Sequence, residues 1–145
     1  MKFKFRLEKV LSFLKLQETM LKMEVATLAR RATELRARMV TLEEDTRRIL
    51  EETPLRLAEN PAWAPYQTSQ VALNTKRVRE LQVKYDQVRN DWEIKKLELG
   101  RHAMRRKALE NLRANKLSEF KIEETRKDQK KMDELFQLSS PKGHR

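Results

Sequence analysis

Residues 7–49, LEKVLSFLKLQETMLKMEVATLARRATELRARMVTLEEDTRRI, carry leucine or isoleucine at every seventh position: Leu7, Leu14, Leu21, Leu28, Leu35, Leu42 and Ile49. A seven-residue apolar period keeps one helical stripe on a partner helix through a left-handed supercoil, so this stretch predicts a coiled-coil strand. Taking these as d positions, the a positions are Leu11, Glu18, Val25, Ala32, Met39, Thr46 and Thr53. That row is mixed and weakens toward Thr53, which suits a helix that also engages partners better than an optimised zipper. Acid-first pairs at i,i+4 (Glu18–Lys22, Glu34–Arg38, Glu43–Arg47 and Glu44–Arg48) each contribute about 0.2–0.5 kcal/mol and mark a solvated face.

The first helix is expected to end near Thr53-Pro54, or to continue past a kink by another turn, because proline pushes its predecessor away from helical angles. Glu59-Asn60-Pro61-Ala62-Trp63-Ala64-Pro65-Tyr66-Gln67 is the stretch with turn chemistry, and Thr68 or Ser69 can cap the next helix. A second seam follows at once: Val71, Val78, Tyr85, Trp92 and Leu99, with Asn74, Leu81, Val88, Lys95, His102 and Leu109 between them. Beyond Leu99 the register is expected to loosen, since Arg106 falls on the seam. The fold class is thus all-α, two long helices forming an antiparallel coiled-coil hairpin. The expected boundaries are one domain over 1–138 (helix 1 at 4–57, turn at 58–67, helix 2 at 68–138), then a disordered, flexible tail over 139–145. At 1.5 Å per residue a first helix of roughly 50 residues spans about 75 Å and a second of roughly 70 about 105 Å, so the second should overhang around residues 115–138. An amphipathic basic segment without a partner helix is a candidate binding element.

The composition agrees with this architecture. The 145 residues include 2 Gly, 4 Pro and 38% charged side chains, which favours long helices with solvated outer faces over a globule. There is no cysteine, so disulfides and thiolate metal sites are excluded. No apolar run approaches a membrane span or a signal-peptide core, and an intracellular, cytoplasmic protein is expected. The net charge of +11 is unevenly spread: residues 1–50 carry +5, residues 51–100 balance, and residues 101–145 carry +6. A hairpin brings those basic ends together, which favours an acidic partner surface there.

Chemistry is nearly absent, and no enzyme is expected. His102 lies in a seam, where a local partner is expected, and His144 lies in the tail; neither has neighbours at ligand or triad spacing. Members of the acidic runs Glu43-Glu44-Asp45 and Glu123-Glu124 point to different sides of one helix, which disfavours paired acid/base work. No cofactor is implied. Tyr85 and Trp92 sit at seam spacing and read as core. Trp63 and Tyr66 either close the hairpin tip or offer an aromatic contact to a partner. Gly100 in a helix interior costs about 1 kcal/mol relative to alanine. The basic clusters Arg30-Arg31, Arg105-Arg106-Lys107 and Lys130-Lys131 raise a nucleic-acid-binding coiled coil, but each has acids within a turn or two and no aromatic platform accompanies them, so no nucleic acid partner is expected.

With the seams laid out, the chain resembles the flagellar export chaperone FliJ family of the flagellar type III export apparatus. The likeness is carried by Phe3-Lys4-Phe5-Arg6-Leu7-Glu8-Lys9-Val10-Leu11, by Trp63-Ala64-Pro65-Tyr66-Gln67, which is similar to a Trp-x-x-Tyr-Gln element of that family, and by Asp128-Gln129-Lys130-Lys131-Met132-Asp133-Glu134-Leu135. The resemblance implies a coiled coil similar to the stalk, or gamma, subunit of rotary ATPases. It implies four partners: the hexameric export ATPase (FliI), its regulator (FliH), the export gate protein (FlhA) and export chaperones. It also implies a cytoplasmic protein peripheral to the inner membrane at the flagellar base. Carried onto this sequence, the ATPase-facing residues are Phe5, Leu7, Arg126, Lys127, Lys130, Lys131, Met132, Leu135 and Phe136. The gate-facing positions are Ser69, Leu73, Lys76 and Glu80, of which only Leu73 keeps the family's residue type. The equivalent coiled-coil protein of a virulence type III secretion system and a rotary-ATPase stalk share the architecture and remain alternatives.

Overall fold

The computed structural model describes residues 2–139. Two helices, α1 (Glu8–Glu59) and α2 (Trp63–Ser139), make up nearly all of it, and the described residues contain no strand. The expected tail, apart from helical Ser139, lies outside the described residues. Two compact units divide the chain, Thr19–Gly100 in one and Met1–Glu18 with Arg101–Arg145 in the other. In each, stretches of α1 and α2 pair antiparallel as a coiled coil.

In the unit Thr19–Gly100 the heptad seam is the core. Leu21, Leu35 and Val88 are buried, and Val25, Leu28, Met39, Leu42, Ile49, Val71, Val78, Leu81, Tyr85, Trp92 and Leu99 are half-buried beside them. A two-helix seam is too narrow to hide polar groups without partners, and here Asn74 and Lys95 are bonded across it. Asn74, 2% exposed, donates through Nδ2 to Asp45 Oδ2 at 3.0 Å and to Thr46 Oγ1 at 3.2 Å. Those contacts and Arg48 hold the Asp45 carboxyl below its ordinary value, with the Asn74 bond contributing most. Lys95 Nζ lies 3.2 Å from Glu24 and 3.5 Å from Glu98. The bond to Glu24 is the main cause of its raised pKa. Arg48 turns to Asp45 at 2.6 Å rather than to the expected Glu44.

At the tip α1 takes the longer of its two expected courses, and two sequence expectations need correction. α1 runs through Pro54 to Glu59; the proline removes one backbone hydrogen bond and crowds the carbonyl four residues back, and the Thr53 hydroxyl bonds the Ile49 carbonyl at 2.6 Å in that turn. The turn is Asn60-Pro61-Ala62, not residues 58–67. Asn60 Oδ1 accepts the Ala62 amide at 3.1 Å and the Asn60 carbonyl accepts the Trp63 amide at 3.0 Å, so Asn60 caps the turn that leads into α2, with Pro61 first after the cap. Pro65 is tolerated because the Pro61 carbonyl takes the Ala64 amide instead, at 3.3 Å. Thr68 is no cap, since its hydroxyl donates to the Ala64 carbonyl inside the helix at 3.0 Å.

In the other unit the seam does not loosen beyond Leu99. The heptad row of Leu99 continues through Arg106, Arg113 and Phe120, all half-buried, and α1 supplies acids opposite the two arginines. Glu18, 5% exposed, receives Arg106 as a fork: Nε binds Oε2, and Nη2 reaches Oε1 at 3.3 Å. Nη1 binds Glu110 at 2.8 Å, and these carboxylates, Glu18 foremost, raise the Arg106 pKa. Arg113 Nε donates to Glu8 at 2.8 Å. His102 Nδ1 is buried without a hydrogen-bond partner among the described residues, contrary to the expected local partner.

Breaking the Glu18–Arg106 pair should cost far more than replacing it. Arg106→Leu alone is expected to destabilise by about 3 kcal/mol, because it leaves Glu18 charged and buried, whereas Glu18→Leu/Arg106→Leu should recover most of that loss. Urea unfolding followed by helical circular dichroism measures both, and equal losses would contradict the account. Gly100, exposed in α2, has nothing within 4 Å of where a Cβ would stand. Gly100→Ala is therefore expected to add about 1 kcal/mol, read as a higher Tm.

Candidate protein-binding surfaces

The N-terminal segment does not start as helix at residue 4. Phe3, Phe5 and Leu7 are half-buried while Lys2, Lys4 and Arg6 are exposed, a period of two that suits an extended strap with one apolar side. The Phe3 ring meets Phe120 at 5.6 Å, tilted 54°, and Arg113 stands 5.7 Å above Phe3. The Phe5 and Leu7 carbonyls then accept the Glu8 and Leu11 amides at 3.1 and 2.9 Å, fixing the entry into α1. Strap and α2 border a groove of about 830 Å³ lined by Phe5, Leu7, Leu112, Lys116, Phe120 and Glu123, among others. Because the strap covers α2 as far as Glu123, the unpartnered stretch starts later than residue 115.

From Thr125 to Ser139 every residue of α2 is exposed. Arg126, Lys127, Lys130 and Lys131 have no ion-pair partner among the described residues, and Met132, Leu135, Phe136 and Leu138 are 64–75% exposed. Of the positions the resemblance singled out, Phe5 and Leu7 therefore lie in the strap groove, while Arg126 through Phe136 lie on free helix. Ser69, Leu73, Lys76 and Glu80 are all exposed in the unit Thr19–Gly100, and a spacing of three to four residues puts them along one helical face. At the tip, Trp63 is half-buried with Arg56 4.6 Å above its ring and Tyr66 4.4 Å away. Its Nε1 is buried without a partner among the described residues. Tyr66 is half exposed, so closing the tip and presenting an aromatic edge are shared between the two.

Sequence reasoning missed two features. The strap was hidden because its alternation is only six residues long and abuts a strong heptad. The second is a set of large apolar residues on outward positions, including Phe13, Leu16, Met20 and Met23 on α1 and Val83, Ile94 and Leu97 on α2, all exposed. The spacing of Phe13, Leu16, Met20 and Met23 by three, four and three residues was a readable second stripe beside the seam. Among the described residues there is no cluster of metal-ligating side chains and no helix long and apolar enough to cross a membrane.

Paired heptad helices with polar cross-links, a strapped end and an unpartnered amphipathic extension define an all-α coiled-coil protein. The family model described as Flagellar FliJ protein matches residues 3–142, and the chain belongs to that family, which makes it a component of the flagellar export apparatus. No curated protein and no solved structure matches it.

The strap contact is testable in isolation. A double-mutant cycle of Phe3→Ala and Phe120→Ala should give a coupling of about 0.5–1.5 kcal/mol in urea unfolding, the range for a tilted aromatic pair. Strictly additive losses would show that the strap does not rest on Phe120.

Proposed function

We propose that this chain binds the export ATPase (FliI) ring through the free end of α2, promotes assembly and activity of the ring, and delivers chaperones and substrates to the export gate. The observation that carries this reading is the fully exposed stretch Thr125–Ser139, with four cations at Arg126, Lys127, Lys130 and Lys131 preceding an apolar group at Met132, Leu135 and Phe136. Cations without internal partners gain most from acidic loops of a partner, and the apolar group gains from burial in a bore. Phe5 and Leu7 support this end indirectly, by holding the strap against α2. The exposed face Ser69, Leu73, Lys76 and Glu80 is the proposed contact for the gate protein (FlhA). The ATPase regulator (FliH) and export chaperones complete the partner set, and these contacts would keep the chain peripheral to the inner membrane at the flagellar base. Membership of the FliJ family favours the flagellar apparatus over a virulence secretion system or a rotary-ATPase stalk.

Reversing all four charges (Arg126→Glu, Lys127→Glu, Lys130→Glu, Lys131→Glu) is expected to reduce stimulation of the purified export ATPase at least tenfold in the concentration required. A chain ending at Glu124, which keeps Phe120 and the strap, should fail to pull the ATPase down. Undiminished stimulation or retained capture would overturn the assignment.

A further inference from the structure

The unit Thr19–Gly100 carries a second apolar surface, alongside the seam. A groove of about 510 Å³ runs between α1 and α2, lined by Met23, Glu24, Thr27, Leu28, Asp91, Ile94 and Lys95. Met23 and Ile94 are 66% and 56% exposed, too much for core residues of a finished coiled coil at positions that polar side chains could fill. The charges at its border are reversed relative to the chain. Glu24 and Asp91 line it with one lysine, Lys95, which is already engaged by Glu24 and by Glu98. Lys96 is turned over the Trp92 ring at 4.7 Å, and Arg89 pairs with Glu93 at 3.7 Å. Asp91 has no ion pair among the described residues. In a protein of net charge +11, this is an apolar groove with an acidic rim.

A groove between two helices with an apolar floor and an acidic rim fits a third amphipathic helix that is apolar on one face and basic beside it. The chain has such a helix, exposed on all sides: residues 126–138 of α2, with Arg126, Lys127, Lys130 and Lys131 followed by Met132, Leu135, Phe136 and Leu138. We propose that the Met23–Ile94 groove of one copy receives the C-terminal stretch of α2 from a second copy, so that the free chain stores its exposed end on itself. Met132, Leu135 and Phe136 cover Met23, Leu28 and Ile94, and the lysines neutralise Asp91 and Glu24. Reciprocal docking fills this groove and this free end on both copies, which closes the assembly at two copies. Docking also withholds the same residues from the ATPase contact proposed above. Self-association is measured without the ATPase, so the two readings fail separately.

Sedimentation equilibrium of the full chain at low ionic strength should show a mean mass rising with concentration from 17.4 kDa toward twice that value, and falling back as salt is added. Met23→Lys/Ile94→Lys should hold the chain at the single-copy mass with unchanged helical circular dichroism, since both positions face solvent. Asp91→Lys should weaken association about tenfold, as should Lys130→Glu/Lys131→Glu, on the scale of lost charge pairs. Mixing those two variants should restore a two-copy species through the swapped charges. A single-copy mass at every concentration overturns self-docking and leaves the groove to a helix of another protein. Association that survives Met23→Lys/Ile94→Lys overturns it in favour of a different face.

Discussion

The fork between Arg106 and Glu18 is the constraint on which the end of this coiled coil depends. A two-helix seam has one line of contact, so a charge placed on it is buried without compensation unless its partner sits directly opposite. Glu18 occupies an a position and Arg106 continues the row of Leu99; only one alignment of α1 against α2 satisfies both. Asn74 against Asp45 and Thr46 imposes the same condition elsewhere, and Lys95–Glu24 and Arg113–Glu8 span the helices at the seam's edge. Leucines alone tolerate a slip by one heptad, because Leu14 and Leu21 present the same surface. Polar cross-links do not, since a slip strands each of them in apolar surroundings. The cost is stability: an apolar pair at these positions would hold the helices more tightly while specifying less.

Fixing the alignment decides what is left over. With α1 anchored at Glu18–Arg106 and Glu8–Arg113, its apolar pairing stops at the first turn of α1, and the strap Lys2–Leu7 extends the cover to Phe120 and Glu123. Past Glu124 nothing among the described residues lies against α2. The free stretch is thus a consequence of register as much as of length. Its exposed Phe136 and Leu138 are uneconomical for an isolated helix and consistent with a surface meant to be covered by protein. The groove at Met23 and Ile94 is the second place where apolar area exceeds what the seam uses, and its acidic rim is what connects it to the basic free end.

The outer faces carry little of the stability. Ion pairs such as Arg56–Glu52 and Lys116–Glu119 are well exposed and each contributes a few tenths of a kcal/mol at most. They keep a helix rich in charge soluble along its length. The contrast with the seam is instructive: the same residue types, Glu with Arg or Lys, act as solubilising decoration outside and as alignment devices inside. Reaching across to the other helix separates the two roles, and at Glu18–Arg106 burial does so as well.

The seven-residue period from Leu7 to Ile49 and the row from Val71 to Leu99 determined the helices, their pairing and their core, because periodicity is a local property that one helix records in full. The family was readable too, from the chain's opening, its Trp-x-x-Tyr-Gln turn and its C-terminal segment. The position of the turn was legible in principle, since Asn60-Pro61 is a cap followed by a first-turn proline, yet three prolines together blurred it. Only the tertiary structure decided that Arg106 and Arg113 continue the seam, because an arginine reads as surface until its carboxylate partner, 88 or 105 residues away, is placed opposite. It alone decided that Phe3 and Phe5 form a strap and not a helical turn, and that Met23 and Ile94 share one groove. Those are facts of alignment between distant segments, and no single stretch of sequence contains them.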